Sequence, residues 1–264
     1  MFGNNSDNEW IKFGRKNPYY WVTTKDKFLD DVLNDDRKKE FFSEGRKYAQ
    51  KLLKIIRRHV DPDFSPQKVL DFGCGVGRVA IPLTHMANSV VGMDVSDTML
   101  DEAKKNARQM EIANLDFVKN DDRVEAGSFD FIHSIYVFQH IPWPRGRKIL
   151  ERMLDRLDPG GIISIQFLIS NTLPPKSRLK YWMKVHLPFV KNIHNLLHRK
   201  EWGTPMMQLN AYNLNRITDI LRRKGCNHLY LRPTKEGRYR GMIVIAQKNP
   251  AGAVKDFIDL GDIP

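Results

Sequence analysis

Between residues 68 and 169 the sequence alternates short apolar runs with longer amphipathic stretches, and this rhythm restricts the fold more than any other feature. The runs are KVLDF (68–72), SVVGMDV (89–95), LDFVKN (115–120), FDFIHSIYVF (129–138) and IISIQFLI (162–169). Between them, 77–87, 96–110 and 145–158 place apolar residues at helical spacing. Strands separated by helices predict a mostly parallel sheet covered on both faces. Ser96 is placed as the N-cap of the second helix, with Asp97 in its first turn. Pro82 predicts that the first helix is short or irregular. The glycines of PGG (159–161) predict a turn before the fifth strand.

The flanks add to this core. Residues 27–60 read as one helical segment, closed by the prolines of DPDFSP. Residues 213–225 read as a helix with Gly225 just past its end, followed by two strands (228–233 and 240–248) close enough to pair as an antiparallel hairpin. The expected organisation is an N-terminal lid or helical segment (1–62), a main domain (63–250) interrupted by an insertion (170–211), and a tail (251–264). The insertion contains Pro174, Pro175, Pro188 and Pro205, and its stretch 176–200 is basic, with no acidic residue.

Composition sets outer limits. The 264 residues are 41% hydrophobic and 28% charged, as in an ordinary globular protein, and no run approaches the ~18–20 apolar residues of a membrane span. The N-terminus lacks a charged start followed by an apolar core, and two cysteines make no disulfide framework, so a cytoplasmic protein is expected. The net charge of +12 leaves nucleic acid, anionic lipid or an anionic small molecule as partners to weigh.

The chemistry begins at the end of the first strand, where DFGCGVGR places Gly73, Gly75 and Gly77 alternately. In a doubly wound sheet that corner faces the ligand crevice, and glycine backbone beside a helix start accepts a polar or anionic group. A turn alone calls for one such glycine; three favour a ligand floor. The dinucleotide fingerprint G-x-G-x-x-G is not met, because Arg78 stands where its last glycine belongs. Asp94, at the end of the second strand, is placed to accept hydrogen bonds from both hydroxyls of a ribose.

These motifs, in this order, resemble class I S-adenosylmethionine-dependent methyltransferases, over about 65–170 and more weakly over 212–248. VLDFGCGVGR is similar to the glycine-rich first motif, with its acidic residue at Asp71, and VVGMDVSDTML to the second. FVKNDD, GSFDFIHSIYVFQHIP and LDPGGIISI resemble the later motifs. The resemblance implies a Rossmann-like seven-stranded sheet of order 3-2-1-4-5-7-6 with strand 7 antiparallel, and S-adenosyl-L-methionine as cofactor. It places Asp94 at the ribose and Met99 beside the adenine, with Val95 and Ile135 as further cofactor-binding residues. Asn120, Asp121 and Asp122 compete for the adenine amino group, with Asp121 preferred and Asn120 second. Two readings stand for Arg78, a partner of the cofactor carboxylate and a solvated helix residue. Tyr20, with Tyr19 and Trp21, either closes over the cofactor as a lid or anchors its segment.

Methyl transfer to an alcohol needs a base, and His140, after the fourth strand, is the candidate; the alternative is that it shapes the pocket. His133 reads as structural, and Cys74 as a small wall residue. No metal constellation is found, since adjacent Asp121 and Asp122 point to opposite faces of an extended segment. The expected reaction is methylation of a hydroxyl on a small-molecule or glycan-linked acceptor. The alternatives are methylation of an amine and a non-catalytic S-adenosylmethionine-binding module. Nucleic acid is disfavoured for want of an N-P-P-Y-type motif after strand four. For the basic stretch 176–200, contact with substrate, contact with anionic lipid, and simple solvation all remain open.

Overall fold

The computed structural model describes residues 6–119, 128–171 and 207–251, with positions 183 and 196. Its centre is a seven-stranded sheet of β1 (Lys68–Phe72), β2 (Ser89–Asp94), β3 (Leu115–Lys119), β4 (Phe129–Ser134), β5 (Leu157–Asn171), β6 (His228–Glu236) and β7 (Tyr239–Gln247). The order is β3-β2-β1-β4-β5-β7-β6. β1 to β5 run parallel, while β7 is antiparallel to both β5 and β6. The sheet order and the antiparallel seventh strand agree with the expectation.

Alternation along each strand explains how both faces are covered. Leu70, Phe72, Ile163, Ile165 and Phe167 face one way and pack with Ile149, Leu150 and Met153 of α6 (Trp143–Asp155) and Ile217 and Ile220 of α7 (Leu214–Arg223). Val69, Phe131, Ile162 and Ile245 face the other way, under Leu52, Leu53 and Ile56 of α3 (Asp35–His59). α3 starts where the Asn34 side chain accepts a hydrogen bond from Arg37 N, and it ends in Arg57, Arg58 and His59, which complement the helix dipole. The helical segment expected from residue 27 therefore starts at 35, preceded by a single 3-10 turn at Asp26–Phe28.

Several boundaries differ from the sequence reading for identifiable reasons. The helix expected over 77–87 is only α4 (Ala80–Leu83), with Pro82 inside it. β4 stops at Ser134, because Tyr136 adopts a positive φ of 62° and turns the chain. The PGG turn is absorbed into β5 at a register shift opposite Asp130, with Gly160 at φ 79°. α6 begins at Trp143, two residues early, with Pro144 in its first turn. Two N-terminal helices, α1 (Ser6–Gly14) and α2 (Pro18–Thr23), were not legible in the sequence. Ser96 does cap α5 (Asp97–Gln109), accepting from Met99 N. Among the described residues no helix is long and apolar enough to cross a membrane.

α2 is held by Tyr19, whose ring is buried against Phe41 and whose hydroxyl bridges Glu102 (2.8 Å) and Asn106 (2.7 Å) of α5. α1 is tied to α6 by the ion pair of Asp7 with Arg145 at 2.6 Å. These two contacts set the N-terminal segment over the carboxyl ends of β1, β2 and β4.

Candidate active site

A cavity of about 730 Å³ opens at those strand ends, within the usual range for small-molecule sites. Gly73, Gly75, Asp94, Val95, Met99 and Ile135 line one part of it, under Trp21 and Val22 of α2. The glycine loop is shaped by its neighbours. Gly73 has φ 76°, and a Cβ there would lie 2.1 Å from Val137 Cγ2, so the loops after β1 and β4 meet through bare backbone. Gly77 also has a positive φ, but it faces Ile81 and Ala103 and does not line the cavity. The third glycine is thus explained by backbone conformation and close helix packing.

Asp94 is the best-defined polar group here. Its Oδ2 accepts from Gly75 N at 2.9 Å and its Oδ1 from Ser96 N at 3.0 Å. Each oxygen keeps a further lone pair, so the carboxylate can serve two more donors from the cavity. Burial pushes its pKa up, against the backbone N–H groups that pull it down.

His140 lines the opposite wall, 4% exposed and beside the ring of Trp10. Its Nδ1 lies 2.6 Å from the Gln208 carbonyl, which only a protonated Nδ1 can satisfy. Its Nε2 therefore accepts, and the Gln139 amide stands 3.1 Å from it. Burial lowers the pKa to about 4, with the carbonyls of Gln208 and Tyr136 opposing. The imidazole is neutral at physiological pH, with its one lone pair at Nε2.

The remaining sequence candidates fall elsewhere. Asp71 is buried away from the large cavity, its Oδ1 2.7 Å from His133 Nδ1. Arg78 borders a minor hollow beside Asp71 and Cys74, with its guanidinium carbon 6.0 Å from the Phe41 ring centre. It does not line the large cavity, though the hollow shares Val22, Gly73, Ile135 and Tyr136 with it, and it is part-buried, its Nε covered and without a hydrogen-bond partner among the described residues. Tyr20 also does not line the cavity; within its segment Trp21 reaches it and Tyr19 is the anchor. Cys74 is buried, and burial raises its thiol pKa. Asn120 and Asp121, and Asp122 with them, lie outside the described residues, as does nearly all of the basic insertion.

Sequence reasoning missed Trp10, Gln139, Gln166, Lys51 and the β6–β7 hairpin as wall elements. Only the basic run RPTKEGRYR (232–240) carried a local signal, and it gives no direction without the sheet order.

The methyltransferase domain family matches residues 69–161, the span from β1 to the first residues of β5. The chain carries a class I S-adenosylmethionine-dependent methyltransferase domain. Among curated relatives, this methyltransferase domain is 29% identical over 117 residues to the ubiquinone biosynthesis O-methyltransferase of Acinetobacter baylyi, covering 43% of this chain and 47% of that one. It is 35% identical over 108 residues to the trans-aconitate 2-methyltransferase of Deinococcus radiodurans, covering 40% and 39%. The match thus spans less than half the length of either relative. The fold of the methyltransferase domain and its flanks is similar to magnesium protoporphyrin IX methyltransferase from Synechocystis PCC 6803 with bound SAM, at TM-score 0.60 and 17% identity over 93% of this chain and 98% of that one.

Proposed function

We propose that the protein transfers a methyl group from S-adenosylmethionine to a hydroxyl of a small-molecule or glycan-linked acceptor. The observation that carries this is one continuous cavity holding the Asp94–glycine-loop corner on one side and a neutral, oriented imidazole on the other. When bound, S-adenosylmethionine supplies a methyl group made electrophilic by its sulfonium.

The chain's own residues position and exclude. Asp94 holds the ribose hydroxyls, Met99, Val95 and Ile135 flank the adenine, and Gly73 and Gly75 leave backbone room for the amino-acid end. Fixing an acceptor in line with the methyl group removes up to roughly 7–11 kcal/mol of barrier through orientation alone. Trp10, Trp21 and Val22 close the cavity and keep water from the electrophile. His140 Nε2 takes the acceptor's hydroxyl proton once the Gln139 amide turns aside. An amine acceptor would use the same cavity without needing that base.

The testing experiment is calorimetric titration with S-adenosylmethionine, S-adenosylhomocysteine and NAD. Micromolar binding of both sulfur compounds and none of NAD is expected. Absence of binding to either sulfur compound ends this reading.

A further inference from the structure

Beyond the cofactor corner, the cavity runs along the β5–β7–β6 side of the sheet, and its charge there is one-sided. Among the described residues its walls hold two carboxylates, Asp7 and Asp94, and four cations, Lys51, Arg145, Arg232 and Lys235. Asp7 is paired with Arg145, and Asp94 is committed to the loop backbone. Lys51, Arg232 and Lys235 have no side-chain ion pair or hydrogen bond among the described residues. They come from two different elements, α3 and β6, yet border the same space.

The sheet register shows what lies between them. Arg232 is opposite Ile243, which is opposite Gln166; Thr234 is opposite Gly241, which is opposite Leu168. Residues paired in this way share a face of the sheet. A Cβ on Gly241 would lie 2.6 Å from Thr234 Oγ1 and 2.7 Å from Gln166 Nε2, so the bare backbone of β7 is what lets these two neutral donors stand close together over it. Gln166 is buried, and its Oε1 accepts from Tyr136 N at 3.2 Å, which fixes the amide with its N–H groups on the Gly241 side. On this wall of the cavity two neutral donors thus stand in the same neighbourhood as three cations.

Resting on the methyltransferase reading of the same cavity, we propose that the acceptor carries an oxyanion, a carboxylate or a phosphate. It is held by Arg232 with Thr234 and Gln166, while Lys51 from α3 and Lys235, on the alternate face of β6, add positive charge at the border of the same space. A planar guanidinium next to hydroxyl and amide donors suits both oxyanions. The acceptor's anionic end thus sits over β6 and β7, and its hydroxyl reaches back toward His140.

The test is titration of the protein, with and without saturating S-adenosylhomocysteine, by phenyl phosphate, benzoate and neutral benzyl alcohol. With S-adenosylhomocysteine bound, at least one anion should bind tenfold or more tightly than the alcohol. The double variant Arg232→Gln/Lys235→Gln should abolish that preference and keep its affinity for S-adenosylhomocysteine. Preference for either anion supports the proposal and names the group. Equal binding of the alcohol overturns it. So does anion binding that S-adenosylhomocysteine displaces, because the cations would then serve the cofactor's own carboxylate. Anion preference in a protein that never binds S-adenosylhomocysteine supports the oxyanion site and removes the methyltransferase reading alone.

Discussion

Asp71 and His133 are direct partners across β1 and β4, and the aspartate Oδ1 lies 2.7 Å from the imidazole Nδ1 in a fully buried setting. The other ring nitrogen, Nε2, is 3.0 Å from the hydroxyl of Tyr48 on α3. Burial keeps Tyr48 a phenol, so the assignment that satisfies every donor has Nδ1–H donating to Asp71 and Tyr48 donating to Nε2. This chain of three fastens the long helix to the strand that ends in the glycine loop.

His133→Leu removes a donor from Asp71 and an acceptor from Tyr48 at once. A loss on the order of 3 kcal/mol is expected, against about 1 kcal/mol for Tyr48→Phe. Urea unfolding of the two variants checks this, and equal losses would show that the aspartate does not depend on the imidazole.

Asp94→Ala should abolish binding of S-adenosylhomocysteine, with at least a hundredfold loss by calorimetry. It deletes the carboxylate that orders the Gly75 N–H and that, on the proposed reading, holds the ribose. Unchanged affinity would refute the ribose assignment.

His140 makes two separable predictions. As the base, its replacement by Ala should cut turnover ~10²–10⁴-fold; a loss below tenfold with cofactor affinity kept makes it a wall residue. Its pKa of about 4 lies below its ordinary value of 6.5, so the unfolded chain takes up the proton first as pH falls. Its contribution to stability is full above pH 6.5 and is lost between there and about pH 4, amounting to roughly 3 kcal/mol. Denaturant melts of wild type and His140→Gln across pH 7 to 4 test the sign: the variant should lose less stability over that window.

Trp21→Ala opens the side of the cavity over the glycine loop, removing a ring that packs 4.1 Å from that of Phe13. About tenfold weaker cofactor binding is expected, a loss of ~1.4 kcal/mol. The far-ultraviolet dichroism should be unchanged, since Tyr19 still anchors α2. Wild-type affinity in this variant would show that α2 is only an anchor.

The sheet was legible because its signals are local: apolar runs of strand length, Ser96 as a cap, Gly225 past a helix end. That Asp94, Val95 and Met99 would border the glycine loop was legible because they follow it by one helix-and-strand unit, and Ile135 because it directly follows the strand beside β1. Tyr20 misled because neighbours on a short helix point in different directions, so that Tyr19 is buried and Trp21 meets the cavity. Arg78 lay beyond the reach of spacing, since its surroundings depend on how Phe41 of α3 crosses the loop. The Asp71–His133–Tyr48 chain joins residues 62 and 85 apart, and no pattern within a strand or helix announces such a meeting.

The two fastenings of the N-terminal segment have a consequence for the order in which the molecule assembles. Asp7 waits for a partner 138 residues downstream, and Tyr19 for partners 83 and 87 residues away. α1 thus cannot take up its contact until α6 has been made and packed, nor α2 until α5 has. Contacts of such long range form late because closing the intervening chain costs entropy before they contribute anything. If Trp21 and Val22 cover the bound cofactor as proposed, tight capture of it accordingly depends on segments made long after the helices that do the covering.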